Sequence, residues 1–373
     1  MQKNNSQESV LIDGSRLMIE AMARAGADTF IGYPITPANL LYLYATQRFE
    51  LMLPAPDEIT TIQWMTGLAA TGRIPVTATS FPGFALMIES INMAYMMELP
   101  MVIVLAQRLG PATGTATCGA QGDIALLRGM YSGGFSIPVF SPSAYSDSWT
   151  MAGEAVRVAI KLRTPVVLLT SKEEVMTHKN FDISHLPEIT ATQMKGFDLA
   201  DEYRTYANTE DKIPPFLAVP NNKHQIRITA STHDTKGILQ HSTEEAIDNT
   251  LRLQEKTMKY LDDFTHYDLD EQAGATKLLI SFGITALAAL DAVNRMRTSG
   301  EKISLLTIKT LLPVPPVYYE IMDKYSNIII AEENSTAQYS KILFGDRLPK
   351  NVTHIGTFGR MITPSDIING GAE

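Results

Sequence analysis

T-F-I-G-Y-P-I-T-P, residues 29–37, carries the grammar that decides the fold. The run TFIGY reads as a short strand cut by Pro34, and Thr36-Pro37 reads as a helix N-cap followed by proline at the first helical position. Upstream, Leu17, Met18, Ala21, Met22 and Ala25 repeat at helical spacing between Asp13 or Ser15 and the stop Gly26, so an amphipathic helix precedes the strand. Downstream the pattern recurs. VTATSF (76–81) ends at Pro82-Gly83 before the helix-like FALMIESINMAYMMEL, MVIVLA (101–106) runs into a Gly-rich loop, and PVVLLT (165–170) follows SDSWTMAGEAVRVAIKL. Short β-branched runs alternating with longer helical patterns predict an α/β fold, a parallel sheet with helices on both faces.

This first domain is expected over residues 10–181. Residues 182–272, richer in polar residues and proline, read as a connector with one exposed helix, STEEAIDNTLRLQEKTMKYLDDF. LLISFG (278–283), ISLLTIK (303–309), NIIIAEE (327–333) and THIGTFG (353–359) alternate with helical stretches and predict a second, smaller α/β domain over 273–373. No repeat of 20 to 50 residues is present, which excludes solenoids and propellers.

Composition narrows the function. With 373 residues, a net charge of −9 and pI ≈ 5.4, the chain lacks the basic footing of a nucleic-acid binder. Charged residues make up 19% and hydrophobic ones 45%, so much surface must be buried, in a large core or against another chain. The single cysteine, Cys118, can form no internal disulfide and cannot hold an iron–sulfur cluster or a structural zinc. The polar opening MQKNNSQESV and the lack of a long apolar run predict no membrane span and a cytoplasmic location.

In open parallel sheets, ligands bind beyond the carboxyl ends of the strands, where helix N-termini present free N–H groups. There stand Thr36, which reads equally as a plain N-cap, and Arg108, in Q-R-L-G-P-A-T-G (107–114), able to clamp a carboxylate or to serve an ordinary ion pair. Glu58, behind the N-cap candidate Asp57, begins a helix, where a carboxylate ordinarily complements the helix dipole. Ser80 and Phe81 close the second strand. The seven histidines have no metal-ligand spacing, and no serine-elbow or H-E-x-x-H pattern supports hydrolase chemistry.

Together GYPITP (32–37), DEI (57–59), ATSFPGFALMIESIN (78–92), QRLGPATG (107–114), QGD (121–123), THDTKG (232–237) and AEENSTAQ (331–338) resemble the α subunits of the 2-oxoacid:ferredoxin oxidoreductases, closest to the 2-oxoglutarate branch. The resemblance implies a pyrimidine-binding domain of a thiamine-diphosphate enzyme followed by a transketolase C-terminal-like domain. It implies oxidative decarboxylation of 2-oxoglutarate or a related 2-oxo acid, with coenzyme A as acyl acceptor and ferredoxin or a similar carrier as electron acceptor. Glu58 matches the glutamate that bonds the cofactor's aminopyrimidine ring, with Ile35, Ser80 and Phe81 beside the cofactor; Thr36 and Arg108 match the residues that hold the oxo-acid carboxylate. Thiamine diphosphate is shared with a β subunit, which is expected to hold Mg2+ and a [4Fe-4S] cluster, and an (αβ)2 heterotetramer is expected. Two departures stand out: S-F-P-G (80–83) where the family has S-G-P-G, and GMYSGGFSIP (129–138) where many members carry a His-Gly or Asn-Gly pair and an acidic residue. They leave open another thiamine-diphosphate enzyme component, or a non-catalytic scaffold paralogue.

Overall fold

The computed structural model describes residues 9–370. The polar opening segment 1–8 and residues 371–373 lie outside the described residues. β1 (Ser9–Asp13) leads into α1 (Gly14–Ala25), capped as the sequence predicts: the Asp13 carboxylate accepts the Arg16 N–H, and Gly26 closes the helix at φ +119°. β2 (Thr29–Gly32), α2 (Asn39–Arg48), β3 (Leu51–Pro54), α3 (Glu58–Ala70), β4 (Pro75–Thr79), α4 (Phe81–Met96) and β5 (Met101–Gln107) follow. Then come α5 (Ile124–Gly129), β6 (Val139–Phe140), α6 (Tyr145–Leu162), β7 (Pro165–Ser171), α7 (Lys172–Met176) and β8 (His178–Asp182).

After a long irregular stretch, α8 (Glu244–Lys259) and β9 (Tyr267–Asp270) lead to β10 (Lys277–Phe282), α9 (Thr285–Thr298), β11 (Ile303–Ile308) and β12 (Thr310–Leu312). α10 (Pro316–Met322), β13 (Asn327–Glu332), α11 (Gln338–Phe344), β14 (Val352–Gly356) and α12 (Pro364–Ile368) complete the chain. The first sheet runs β12-β6-β7-β5-β4-β2-β3 and is parallel except for β12, while the second runs β14-β13-β10-β11-β9 and is parallel except for its edge strand β9. β1 and β8 form an antiparallel ribbon apart from both.

The buried strands read as continuous apolar runs because both faces of the first sheet are covered. One layer packs α1 and α6 on Phe30, Val102 and Val104. The other packs α3 and α4 on Ile31, Ile103 and Leu105, and its core continues into Ile280, Phe282 and Tyr339 of the second sheet.

Four expectations need correction. β12, read as part of the second domain, pairs with β6 and extends the first sheet, while β9, read as connector, edges the second. α8 is exposed along one face only: on the other, Arg252 and Lys256 turn inward onto the fully buried Glu98, which no periodicity of apolar residues could reveal. Thr36 caps no helix, because a turn over residues 36–38 separates it from α2, which starts at Asn39.

Candidate active site

β2's two sheet neighbours, β3 and β4, both follow it in the chain, so strand order reverses at β2. The turns leaving β2, β3, β4 and β5 therefore meet at one edge, the position where open parallel sheets bind ligands. Thr36 lies after β2, Glu58 after β3, Ser80 and Phe81 after β4, and Arg108 after β5.

Arg108 joins two of these turns. Its Nη1 donates to the Thr36 carbonyl at 2.6 Å, while the Thr36 hydroxyl accepts from Asn39 Nδ2 at 3.0 Å. The guanidinium is 5% exposed and its Nε finds no partner. Burial lowers its pKa, opposed by the nearby Asp123, yet an arginine remains charged. A buried cation with an orphaned donor has the chemistry to take an anion.

Glu58 is held by other means. Asp57 takes the capping role, accepting the Thr60 N–H at 2.6 Å, and so leaves the first helical position to Glu58. The Glu58 carboxylate is 7% exposed and makes no hydrogen bond or ion pair among the described residues. Gly83 makes room for it: a Cβ there would stand 2.4 Å from Glu58 Oε1 and 2.3 Å from Thr79 Oγ1. Ser80 stands at the N-cap of α4 without capping it, and its buried hydroxyl is likewise unpartnered.

A buried carboxylate and a buried hydroxyl without partners, packed against a glycine that leaves them room, suit a ring bearing nitrogen donors and acceptors. The aminopyrimidine of thiamine diphosphate is such a ring, and these residues fit it.

Phe81, half-buried, turns toward a cleft of about 260 Å³ between the first sheet's edge and the loop after β13. Ile35 packs on the α1 and α6 layer, across the sheet from α3 and α4. Thr36 and Arg108 are thus brought into contact, and Glu58 meets Gly83 in the turn of Ser80 and Phe81, but no hydrogen bond joins one pair to the other.

Sequence reasoning missed Thr79, Gly83, Asp123 and Glu333. Asp123 begins α5 as an apparent N-cap, but Gln338 of the second domain takes the Ala125 N–H at 3.0 Å, so the Asp123 carboxylate is not used as a cap. Its motif QGD was visible, whereas the competing glutamine lies 213 residues beyond Ala125. The segment GMYSGGFSIP folds along α4: Tyr131 packs edge-on to Tyr95 at 5.0 Å, Phe135 lies 5.9 Å from the same ring, and Asn92 donates to the Met130 carbonyl at 3.2 Å. Asn92 follows Phe81 by eleven residues, roughly 16 Å along the helix, so this segment is anchored well away from the Ser80 turn.

Residues 20–253 match the family described as pyruvate flavodoxin/ferredoxin oxidoreductase, thiamine-diphosphate-binding. The 2-oxoglutarate synthase subunit KorA of Methanothermobacter thermautotrophicus is 27% identical over 376 residues, covering 97% of this chain and 98% of that protein. The 2-oxoglutarate oxidoreductase subunit KorA of Mycobacterium tuberculosis is 29% identical over 337 residues, but this chain spans only half of its length. Among solved structures, a 2-oxoglutarate:ferredoxin oxidoreductase from Magnetococcus marinus, with 2-oxoglutarate, coenzyme A and succinyl-CoA bound, superposes with a TM-score of 0.90 at 26% identity, covering 97% of this chain and 64% of that one. A split-gene transketolase shares the fold at 13% identity and a TM-score of 0.54. With this match running through every turn of the site, the chain belongs to the thiamine-diphosphate-binding family of pyruvate flavodoxin/ferredoxin oxidoreductases, as a relative of the 2-oxoacid:ferredoxin oxidoreductase α subunits.

Proposed function

We propose that this chain is the α subunit of a CoA-acylating 2-oxoacid:ferredoxin oxidoreductase acting on 2-oxoglutarate or a related 2-oxo acid. One 2-oxo acid and one coenzyme A thiol give an acyl thioester, CO2 and a proton, and two electrons leave singly for two molecules of ferredoxin or a similar carrier. The carrier's potential sets the direction. A β subunit completes the site, supplies Mg2+ and the iron–sulfur cluster, and joins this chain in an (αβ)2 assembly in the cytoplasm; the subunit designations of the relatives support a multi-chain enzyme.

Thiamine diphosphate supplies the nucleophilic carbon and the sink for the electrons that decarboxylation releases. The residues of this chain do the rest. Arg108, tied to the Thr36 turn, holds the oxo-acid carboxylate where burial strengthens the attraction. Glu58 holds a proton against the ring nitrogen of the pyrimidine. Ser80 offers its hydroxyl beside it and Phe81 adds an apolar wall, whereas Ile35 lies on the other face of the sheet and takes no part.

The observation that carries this reading is the Glu58 carboxylate, buried and without a protein partner, in a cradle that only glycine at position 83 allows. Glu58→Gln in the assembled complex is expected to lower turnover by about 10²-fold or more while subunit assembly, followed by size-exclusion chromatography, stays intact. Near-normal turnover in this variant would remove Glu58 from the mechanism.

A further inference from the structure

Two of the motifs that remain without a role in the proposed function, QGD (121–123) and AEENSTAQ (331–338), are brought together by the fold. Gln121 donates to the Phe282 carbonyl at 2.8 Å, accepts the Glu333 N–H at 2.8 Å, and offers its own N–H to the Glu333 carbonyl at 2.9 Å. The residues that follow these contacts line the cleft that Phe81 also faces. The cleft starts one residue beyond Arg108, at Leu109, and Phe81 begins the helix whose turn holds Glu58.

Its walls are of two kinds. Phe81, Leu109, Pro111 and Phe358 are apolar, and Asp123 and Glu333 each leave a carboxyl oxygen buried without a hydrogen bond. Both acids are more than nine-tenths buried, and neither forms an ion pair among the described residues. None of the residues lining the cleft is a lysine, arginine or histidine. The charge that acts on Asp123 is that of Arg108; Glu333 faces Glu173 and accepts the Ile362 N–H at 3.1 Å.

We propose that this cleft receives the side chain of the 2-oxo acid and selects acids whose side chain is neutral and apolar, branched or aryl, over those with a second carboxylate. The inference rests on the reading given above and narrows it. Arg108 is one cation, and the substrate's own 1-carboxylate uses it. A second carboxylate would lie between two acids with no cation from this chain to offset it, a costly burial of charge. A phenyl or isobutyl group instead meets phenylalanine, leucine and proline in a space of about 260 Å³, room for several units of the roughly 30 Å³ that one water occupies in the liquid.

Burial pushes both carboxyls up to about 7. Below that pH they are protonated and tolerate a dicarboxylate, donating hydrogen bonds to it; above it they ionise and repel it. Discrimination therefore increases as pH rises through 7.

The test uses the complete complex with its partner subunit, thiamine diphosphate, Mg2+ and coenzyme A, and follows viologen reduction with 2-oxoglutarate, 4-methyl-2-oxopentanoate, phenylpyruvate and pyruvate at pH 6.5 and 8.5. At pH 8.5, kcat/KM for a branched or aryl acid should exceed that for 2-oxoglutarate by at least about tenfold, with a smaller ratio at pH 6.5. Asp123→Asn and Glu333→Gln should reduce the ratio and its dependence on pH. A wild-type preference for 2-oxoglutarate overturns the inference and leaves the oxidoreductase reading standing, as do variants that keep both the ratio and its pH dependence. Failure of every acid, pyruvate included, overturns both.

Discussion

Gly83 sets the tolerance of the whole site. The carboxylate of Glu58 can lie where it does only because position 83 has no side chain, and the nearest atoms on that side are Glu58 Oε1, Glu58 Cγ and Thr79 Oγ1. Gly83→Ala should displace Glu58, cost about 1–3 kcal/mol of stability through overpacking, and reduce turnover more than a shift of that size in Tm explains. A thermal melt beside a turnover assay checks it: unchanged turnover in a folded Gly83→Ala variant would show that Glu58 has room to spare. Residues of this kind were half legible. Thr36 and Arg108 stood in the sequence at the ends of recognisable strands and Glu58 at the start of a recognisable helix, where Asp57 visibly freed it from capping. Gly83 read only as turn chemistry, because the carboxylate that needs it enters from a different strand.

At the scale of elements, α8 is the clearest case of a helix whose role the sequence concealed. Its mean character is polar, so it reads as a solvated helix, yet its buried face carries Arg252 and Lys256 against Glu98 at the end of α4. Lys256 Nζ lies 2.6 Å from the Glu98 carboxylate, Arg252 Nη1 lies 3.1 Å from it, and Arg163 Nε donates to the Glu98 carbonyl at 3.2 Å. Periodicity finds apolar stripes, not a charged face neutralised by one acid more than 150 residues away. The flanking cations hold the Glu98 carboxyl well below the usual carboxylate range against the opposing effect of burial. A depressed native pKa gives stability that is present above the ordinary value of 4.5 and is lost only as pH falls through the native one. Glu98→Gln strands two buried cations, so it should destabilise the fold by about 3–5 kcal/mol, an effect that denaturant unfolding at neutral pH reads directly. A cost below 1 kcal/mol would mean that the connector is held by its other contacts.

At the scale of the molecule, the alternation of strands and helices, and with it both sheets, was legible from short apolar runs and their prolines and glycines. The exchange of edges was not. β12 leaves the second domain to pair with β6, β9 leaves the connector to pair with β11, and Lys309 bridges Asp147 of α6 at 2.9 Å and Asp268 of β9 at 2.7 Å. Each of these links joins residues distant in the chain, and strands as short as β9 and β12 carry almost no local signal. The outcome is a single packed body in which the first sheet's edge and the second domain's Glu333 loop bound one cleft. On the function proposed above, that body would supply half of a site, with Arg108 as the cation for the oxo acid and Glu58 as the carboxylate for the pyrimidine, and a partner subunit would provide the remainder.

The most direct measurement of this account is reduction of a viologen dye by the chain co-purified with its partner subunit, in coenzyme A and a 2-oxo acid, with and without thiamine diphosphate. The account predicts CO2 release and dye reduction in a ratio of one CO2 to two electrons, abolished when thiamine diphosphate is omitted or Glu58 is replaced by glutamine. A complex that binds the cofactor and its cluster, yet releases no CO2 from any 2-oxo acid, would contradict it.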